Sequence, residues 1–161
     1  MDNFPETVED FLDGQILLIN KPLGWTSFDV VKKIKNLIRT KYSLKKIKVG
    51  HAGTLDPLAI GLLIVCTGKF TKLISKIQGQ EKTYTGTITL GGTTPSYDLE
   101  TEVDNNYETA HITEELIKES TTQFIGEIDQ KPPIFSALKK GGERLYEKAR
   151  RGETIEIESR K

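Results

Sequence analysis

The chain has 161 residues, room for one domain with one sizeable core, and its 23 Lys and Arg balance 23 Asp and Glu, so total charge gives no sign of a polyanionic partner. Its single cysteine, Cys66, excludes an internal disulfide, and no apolar run approaches the roughly 20 residues that span a bilayer. With 29% charged and 36% hydrophobic residues and no signal peptide, it reads as a soluble globular protein of a reducing cytoplasm.

Residues 1–13 are acidic with scattered apolar positions and read as an N-terminal extension to a domain covering 14–161. Residues 15–20 (Gln-Ile-Leu-Leu-Ile-Asn) form an apolar run, expected to be a strand buried on both faces. Lys21-Pro22-Leu23-Gly24 interrupts it. Thr26 and Asp29 have the spacing of a capping box, and Phe28, Val31, Ile34, Leu37 and Ile38 recur at helical spacing, which predicts an amphipathic helix over 27–40. Residues 50–57 read as a loop, 61–67 as an apolar strand and 71–77 as a short helix. From Lys82 to Leu90 the threonines at 83, 85, 87 and 89 alternate with Tyr84, Gly86, Ile88 and Leu90, which predicts a strand.

Residues 91–106 read as a polar, acidic loop, followed by a helix capped by Thr113 with Glu114 and Glu115 in its first turn. Pro132-Pro133 breaks the chain. Residues 143–151 predict a helix ended by Gly152, and 154–158 alternate like a strand. The elements mix without regular βαβ alternation, so the expected fold is α+β, with a mixed, largely antiparallel sheet flanked by helices.

The zero net charge hides a strong asymmetry. Residues 30–55 carry eight basic side chains (Lys32, Lys33, Lys35, Arg39, Lys41, Lys45, Lys46 and Lys48) and no acidic one. Residues 96–130 carry ten acids against Lys118, and 139–151 turn basic again. A basic face is the electrostatic footprint of a polyanion site, although charge alone is met as well by solvated helix faces.

No Walker loop, dinucleotide-binding glycine pattern or nucleophile elbow is present, and two histidines and one cysteine far apart do not make a zinc site. Catalysis would rest on side chains acting without metal or cofactor. Asp56 lies in a glycine-containing loop, and Pro57 restricts it to an extended backbone; it could act as nucleophile or base, or simply form a turn. His51 in the same loop could be a base, a stacking group or an RNA contact. Tyr84 could stack on a base or pack in a core, and Lys21 sits at a strand end. Ser136 with Lys139 has the look of a Ser–Lys pair, but nothing supplies an oxyanion hole, so the segment reads as a substrate-contacting or structural turn.

Taken in order, these segments resemble the bacterial tRNA pseudouridine synthases of the TruB family. Lys21-Pro22-Leu23-Gly24-Trp25-Thr26-Ser27 is similar to the family's first motif, and Gly50-His51-Ala52-Gly53-Thr54-Leu55-Asp56-Pro57 to its catalytic motif. Lys82-Thr83-Tyr84 resembles the strand bearing the active-site tyrosine, and Pro132-Pro133-Ile134-Phe135-Ser136-Ala137-Leu138-Lys139 a further block. The resemblance implies isomerisation of the uridine at position 55 in the tRNA T-loop to pseudouridine, by base flipping, without metal or cofactor. Asp56 would be the nucleophile, attacking sugar or base. Tyr84 would stack on the flipped uracil and move a proton, and His51 would fill the space the base leaves. Lys21 would lie near the active site, Asp98 in the loop after the tyrosine segment, and Lys139 among the RNA contacts.

A Lys-Gly-Thr-Tyr-Ile-Arg-like motif, whose arginine pairs with the aspartate in the family, has no match among the 161 residues, nor has a C-terminal RNA-binding domain. The sequence thus reads as the N-terminal part of the catalytic domain, poorly active alone and prone to self-association, where the family is usually monomeric. The alternatives are a non-catalytic tRNA-binding or folding module, a guide-RNA-dependent synthase, and an Asp-nucleophile hydrolase.

Overall fold

The computed structural model describes residues 7–136, 138–153 and 155–159. The chain divides into two compact units, Met1–Thr85 and Gly86–Lys161.

The first unit is built on a three-stranded antiparallel sheet, β1 (Ile16–Lys21), β2 (Val49–His51) and β3 (Gly61–Thr67), in the order β1-β3-β2. The register sets Ile16 opposite Cys66 and Lys21 opposite Gly61 on one side of β3, and Val49 opposite Thr67 and His51 opposite Val65 on the other. Opposed residues share a face. Leu17 and Ile19 therefore lie with Leu63 and Val65, and Ile16 and Leu18 with Cys66 and Ile64.

Helix α2 (Ser27–Lys41) covers the first of these faces. Its Val30 is buried against Leu63 and Val65, with Leu17, Ile19, Ile34, Val49 and Leu55 packed around them. The predicted capping box is present: Thr26 Oγ1 accepts from Asp29 N–H at 3.1 Å, and Asp29 Oδ2 accepts from Thr26 N–H at 3.0 Å. The Thr26 hydroxyl also donates to Asp29 Oδ2 at 2.5 Å, and this bond, followed by that from Thr26 N–H, holds the Asp29 carboxyl below the usual carboxylate range. The other face is largely uncovered, and Leu18 is 68% exposed. The first strand is therefore where the sequence placed it but buried on one face only, because helix α2 covers that face and the other is left open.

The acidic N-terminal stretch contributes to the fold. Helix α1 (Val8–Asp13) buries Phe11 against Ile38 and Ile47. The buried Thr67 hydroxyl donates to Phe11 O at 2.9 Å and accepts from Gln15 N–H at 3.1 Å, tying this helix to the end of β3. Gly68 follows at φ +51, where a Cβ would stand 2.1 Å from Leu12 O. A 3-10 turn over Gly68–Leu73 leads into α3 (Ile74–Gln78).

Residues 81–89 contain no strand. The alternation there is real, but a strand also needs a partner for its main-chain groups, and no described strand pairs with it. The same holds for residues 155–159, while Thr154 lies outside the described residues.

In the second unit the expected loop 91–106 contains a short ladder, β4 (Gly92–Thr93) with β5 (Asn105–Asn106). Helix α4 (Glu114–Thr121) is capped by Thr113, whose hydroxyl accepts from Leu116 N–H at 3.2 Å. The helix predicted from 143 starts two residues later. Glu143 and Arg144 form β7 and pair with Lys140 and Lys139 of β6 (Lys139–Lys140). Gly141 and Gly142, at φ +66 and +86, supply the two positive angles of the connecting two-residue turn. Helix α5 (Leu145–Arg150) follows, with Leu145 buried. Among the described residues no helix is long and apolar enough to cross a membrane.

Two outcomes test this packing. Phe11→Ala is expected to lower the unfolding free energy by about 3 kcal/mol in urea titration; an unchanged midpoint would show that α1 is not part of the core. Cys66 is buried, and burial pushes its thiol up. It should resist iodoacetamide at pH 8 in the folded protein and react readily in denaturant.

Candidate active site

The sheet register brings three chain segments to one end. β1 leaves the sheet at Lys21 and β3 enters it at Gly61 directly opposite, while β2, running the same way as β1, ends earlier, at His51 opposite Val65, and is followed by residues that run on towards Gly61. The loops 22–26 and 52–60 therefore emerge together, and hydrogen bonds join them. Gly24 N–H donates to Pro57 O at 2.8 Å. Ser27 Oγ accepts from Leu55 N–H at 2.9 Å and donates to Leu55 O at 3.1 Å. Ala52 N–H donates to Ile64 O at 2.8 Å, and Ala59 N–H closes a turn on Asp56 O at 3.0 Å.

Asp56 stands at the exposed end of this assembly. Among the described residues no cation forms an ion pair with it. It lines a groove of about 960 Å³ together with Tyr84. The groove has apolar walls from Leu62 and Ile64 of β3 and Ile77 of α3, and polar ones from Thr54, Gln80 and Lys82. The two residues singled out as catalytic, 28 positions apart in sequence, thus share one concavity. Tyr84 is 71% exposed, so its ring is a free face and not a core aromatic.

His51 lies beside this groove at the end of β2 and is half-buried. Its Nδ1 is 2.6 Å from Gly53 O. A carbonyl only accepts, so Nδ1 carries the proton, and in the neutral ring Nε2 is the acceptor. Lys21 is not a solvated lysine. It is fully buried, and its ammonium donates to Pro22 O at 3.0 Å and Trp25 O at 2.7 Å. The side chain folds back onto its own loop and holds the turn that carries Gly24.

The other two residues belong to the second unit. Asp98 follows Tyr97, which has φ +61; its Oδ1 accepts from Glu100 N–H at 2.9 Å, and its carbonyl accepts from the Thr94 hydroxyl at 2.7 Å. Lys139 begins β6, and its side chain lies outside the described residues. The residue sequence reasoning passed over is Ser27. The signal was the Thr26-Ser27 pair, in which only one hydroxyl is needed as the helix cap.

Comparison with known proteins decides the family. A sequence profile described as TruB family pseudouridylate synthase (N terminal domain) matches residues 39–161. The chain belongs to the TruB family. It is 67% identical over 156 residues to the tRNA pseudouridine synthase B of Flavobacterium johnsoniae, which covers 96% of this chain and 68% of that protein. Against the tRNA pseudouridine synthase B of Parabacteroides distasonis it is 56% identical over 151 residues, and against that of Phocaeicola vulgatus 54% over 151, in both cases 94% of this chain and 64% of the relative. The chain thus spans about two thirds of the length of these relatives. The profile covers Asp56, His51 and Tyr84; Lys21 lies before it, within the stretch aligned with the relatives.

The buried ammonium of Lys21 gives a direct test. Lys21→Met leaves two carbonyls without their donor and should cost about 2 kcal/mol in stability by thermal or urea unfolding. A variant as stable as the parent would show that the two bonds contribute nothing to the loop.

Proposed function

We propose that this chain carries the catalytic face of a tRNA pseudouridine synthase acting on the uridine at position 55 of the T-loop. The observation that supports it most is the shared groove: the Asp56 carboxylate and the exposed Tyr84 ring line one concavity with apolar walls. The names of the relatives point the same way.

The chemistry fits what the groove offers. A uridine inside a folded loop must be flipped out to be reached, at a cost of a few kcal/mol, and stacking on an aromatic face returns about 1–3 kcal/mol. Tyr84 offers that face. Asp56 attacks, the bond between N1 of uracil and C1′ of ribose breaks, and the base turns. C5 then bonds to C1′, N1 takes up a proton and C5 gives one up. The reaction is redox-neutral and draws on no group beyond the side chains. A carboxylate is a competent nucleophile without a separate base to activate it.

In this reading His51 contacts the RNA through Nε2, and Asp98 and Lys139 belong to the RNA-facing set, the enzyme working as a cytoplasmic monomer. Lys21, being enclosed, acts through the Pro22–Trp25 turn and not by touching RNA. Binding is electrostatic in the main. On α2, Lys32, Lys35 and Arg39 fall on one stripe at i, i+3 and i+7, and among the described residues no basic side chain of 30–55 is in an ion pair. Phosphates contacting this stripe would release counterions and make affinity salt-dependent.

Incubating the protein with tRNA tritiated at uridine C5 and measuring tritium release tests the activity, since C5 loses its hydrogen only if the C–C bond forms. Asp56→Asn should bring release to background while the tRNA Kd stays within about threefold of the parent. If binding falls in step with turnover, Asp56 has no chemical role. Reversing Lys32, Lys35 and Arg39 to Glu should weaken tRNA binding at least ~10-fold and flatten the log–log salt slope by about 2–3. An unchanged slope would place the phosphates elsewhere.

A further inference from the structure

We propose that Ser27 is a positioning residue for Asp56, aiming the carboxylate through the main chain of Leu55. The inference rests on the reading of Asp56 as the attacking group.

The need for such a device follows from the exposure of Asp56. Its carboxylate has no ion-pair partner among the described residues and stands at the rim of the groove. A side chain in that situation is aimed chiefly by the backbone that bears it. Pro57 restricts the backbone of Asp56 itself, but a restricted segment must still be anchored. The anchors stand on either side. Pro57 O accepts from Gly24 N–H, and Leu55 offers both its N–H and its carbonyl to one hydroxyl, that of Ser27. A single Oγ bonding both main-chain groups of one residue fixes the rotation of that residue about the chain, which one bond would leave open.

Ser27 is suited to the task because it is itself immobile. It is 2% exposed and is the first residue of α2, directly after the cap. Thr26 and Asp29 satisfy the helix start between themselves, so the Ser27 hydroxyl is not consumed as a cap. Val30 and Val31, three and four residues on, are buried and hold the helix on the sheet. Leu55 therefore bonds to a point fixed by the core and not to another loop. Threonine would keep the hydroxyl at the cost of a methyl in an enclosed place; alanine would leave both Leu55 groups without their partner.

A misplacement on the order of 1 Å near a reacting group can cost about 100-fold in rate. Ser27→Ala in the full chain is therefore expected to lower single-turnover tritium release from tRNA by about 30- to 100-fold with the tRNA Kd within about threefold. Ser27→Thr should recover most of the rate. Amide hydrogen exchange at Leu55 should accelerate in Ser27→Ala and stay slow in Ser27→Thr. An unchanged rate in Ser27→Ala, or a loss of binding that matches the loss of rate, overturns the proposal. If the parent releases no tritium, in keeping with a chain that spans about two thirds of its relatives' length, the anchoring is judged by Leu55 exchange alone: unchanged exchange in Ser27→Ala refutes it. Should Ser27→Ala not stay folded at the assay temperature, Ser27→Cys, whose thiol is a weak donor and acceptor, carries the same comparison with the same outcomes.

Discussion

The pairing of β3 on both of its edges is the constraint on which the first unit depends. A strand between two antiparallel partners has its main-chain groups satisfied on each side, and its register dictates where the partners begin and end. Lys21 lies opposite Gly61, and β2, parallel to β1, ends at His51 opposite Val65, so residues 52–60 run on towards the end of the sheet where β1 leaves and β3 enters. The loop that bears Asp56 and the turn that bears Gly24 are neighbours for that reason, although more than 25 residues separate them in sequence. A one-residue slip of β1 would carry Leu17 and Ile19 from the covered face to the open one and would misalign the turn with the loop it holds.

What the sequence made legible follows from how local each signal is. The capping box of Thr26 and Asp29, the amphipathic helix after it and the apolar strand 61–67 all declare themselves within a few residues, and each is present at nearly the expected bounds. The sharing of one groove by Asp56 and Tyr84 was expected from the family motifs alone, since nothing in their spacing implies contact. The misses are non-local. The alternation of 82–90 states what that segment could pair with but cannot supply the partner. The run 15–20 shows hydrophobic residues on both faces, and only the packing of α2 on one side of the sheet decides that the other face is open. The burial of Lys21 is tertiary in the same way. The Gly141-Gly142 turn, by contrast, was a local signal that went unused.

The balanced net charge conceals two different uses of charge. In the second unit the basic residues near α5 are occupied: Arg151 bonds Glu143 and Glu153, Lys148 lies between the same two acids, and Arg150 bonds Glu100. Arg151 draws the Glu143 and Glu153 carboxyls below their usual range, and these groups lie at the surface, Lys148 and Glu143 half-buried and the others exposed, so the network organises the surface more than it stabilises the unit. In the first unit the cations of 30–55 are left without such partners among the described residues. Equal totals therefore coexist with one surface electrically satisfied and another available to a polyanion.

The bonds between Ser27 and Leu55 also set an order of events. They close a loop of 28 residues, and closing it costs chain entropy that two hydrogen bonds do not repay alone. Helix α2 can start locally, through its own capping box, but its first residue finds Leu55 only after β1, β2 and β3 have zipped and carried the two loops to the same end. The geometry around Asp56 is thus among the late contacts of folding, and on unfolding it is among the first to go. Mild destabilisation anywhere along the β1–β3 ladder would blur the site well before the fold is lost.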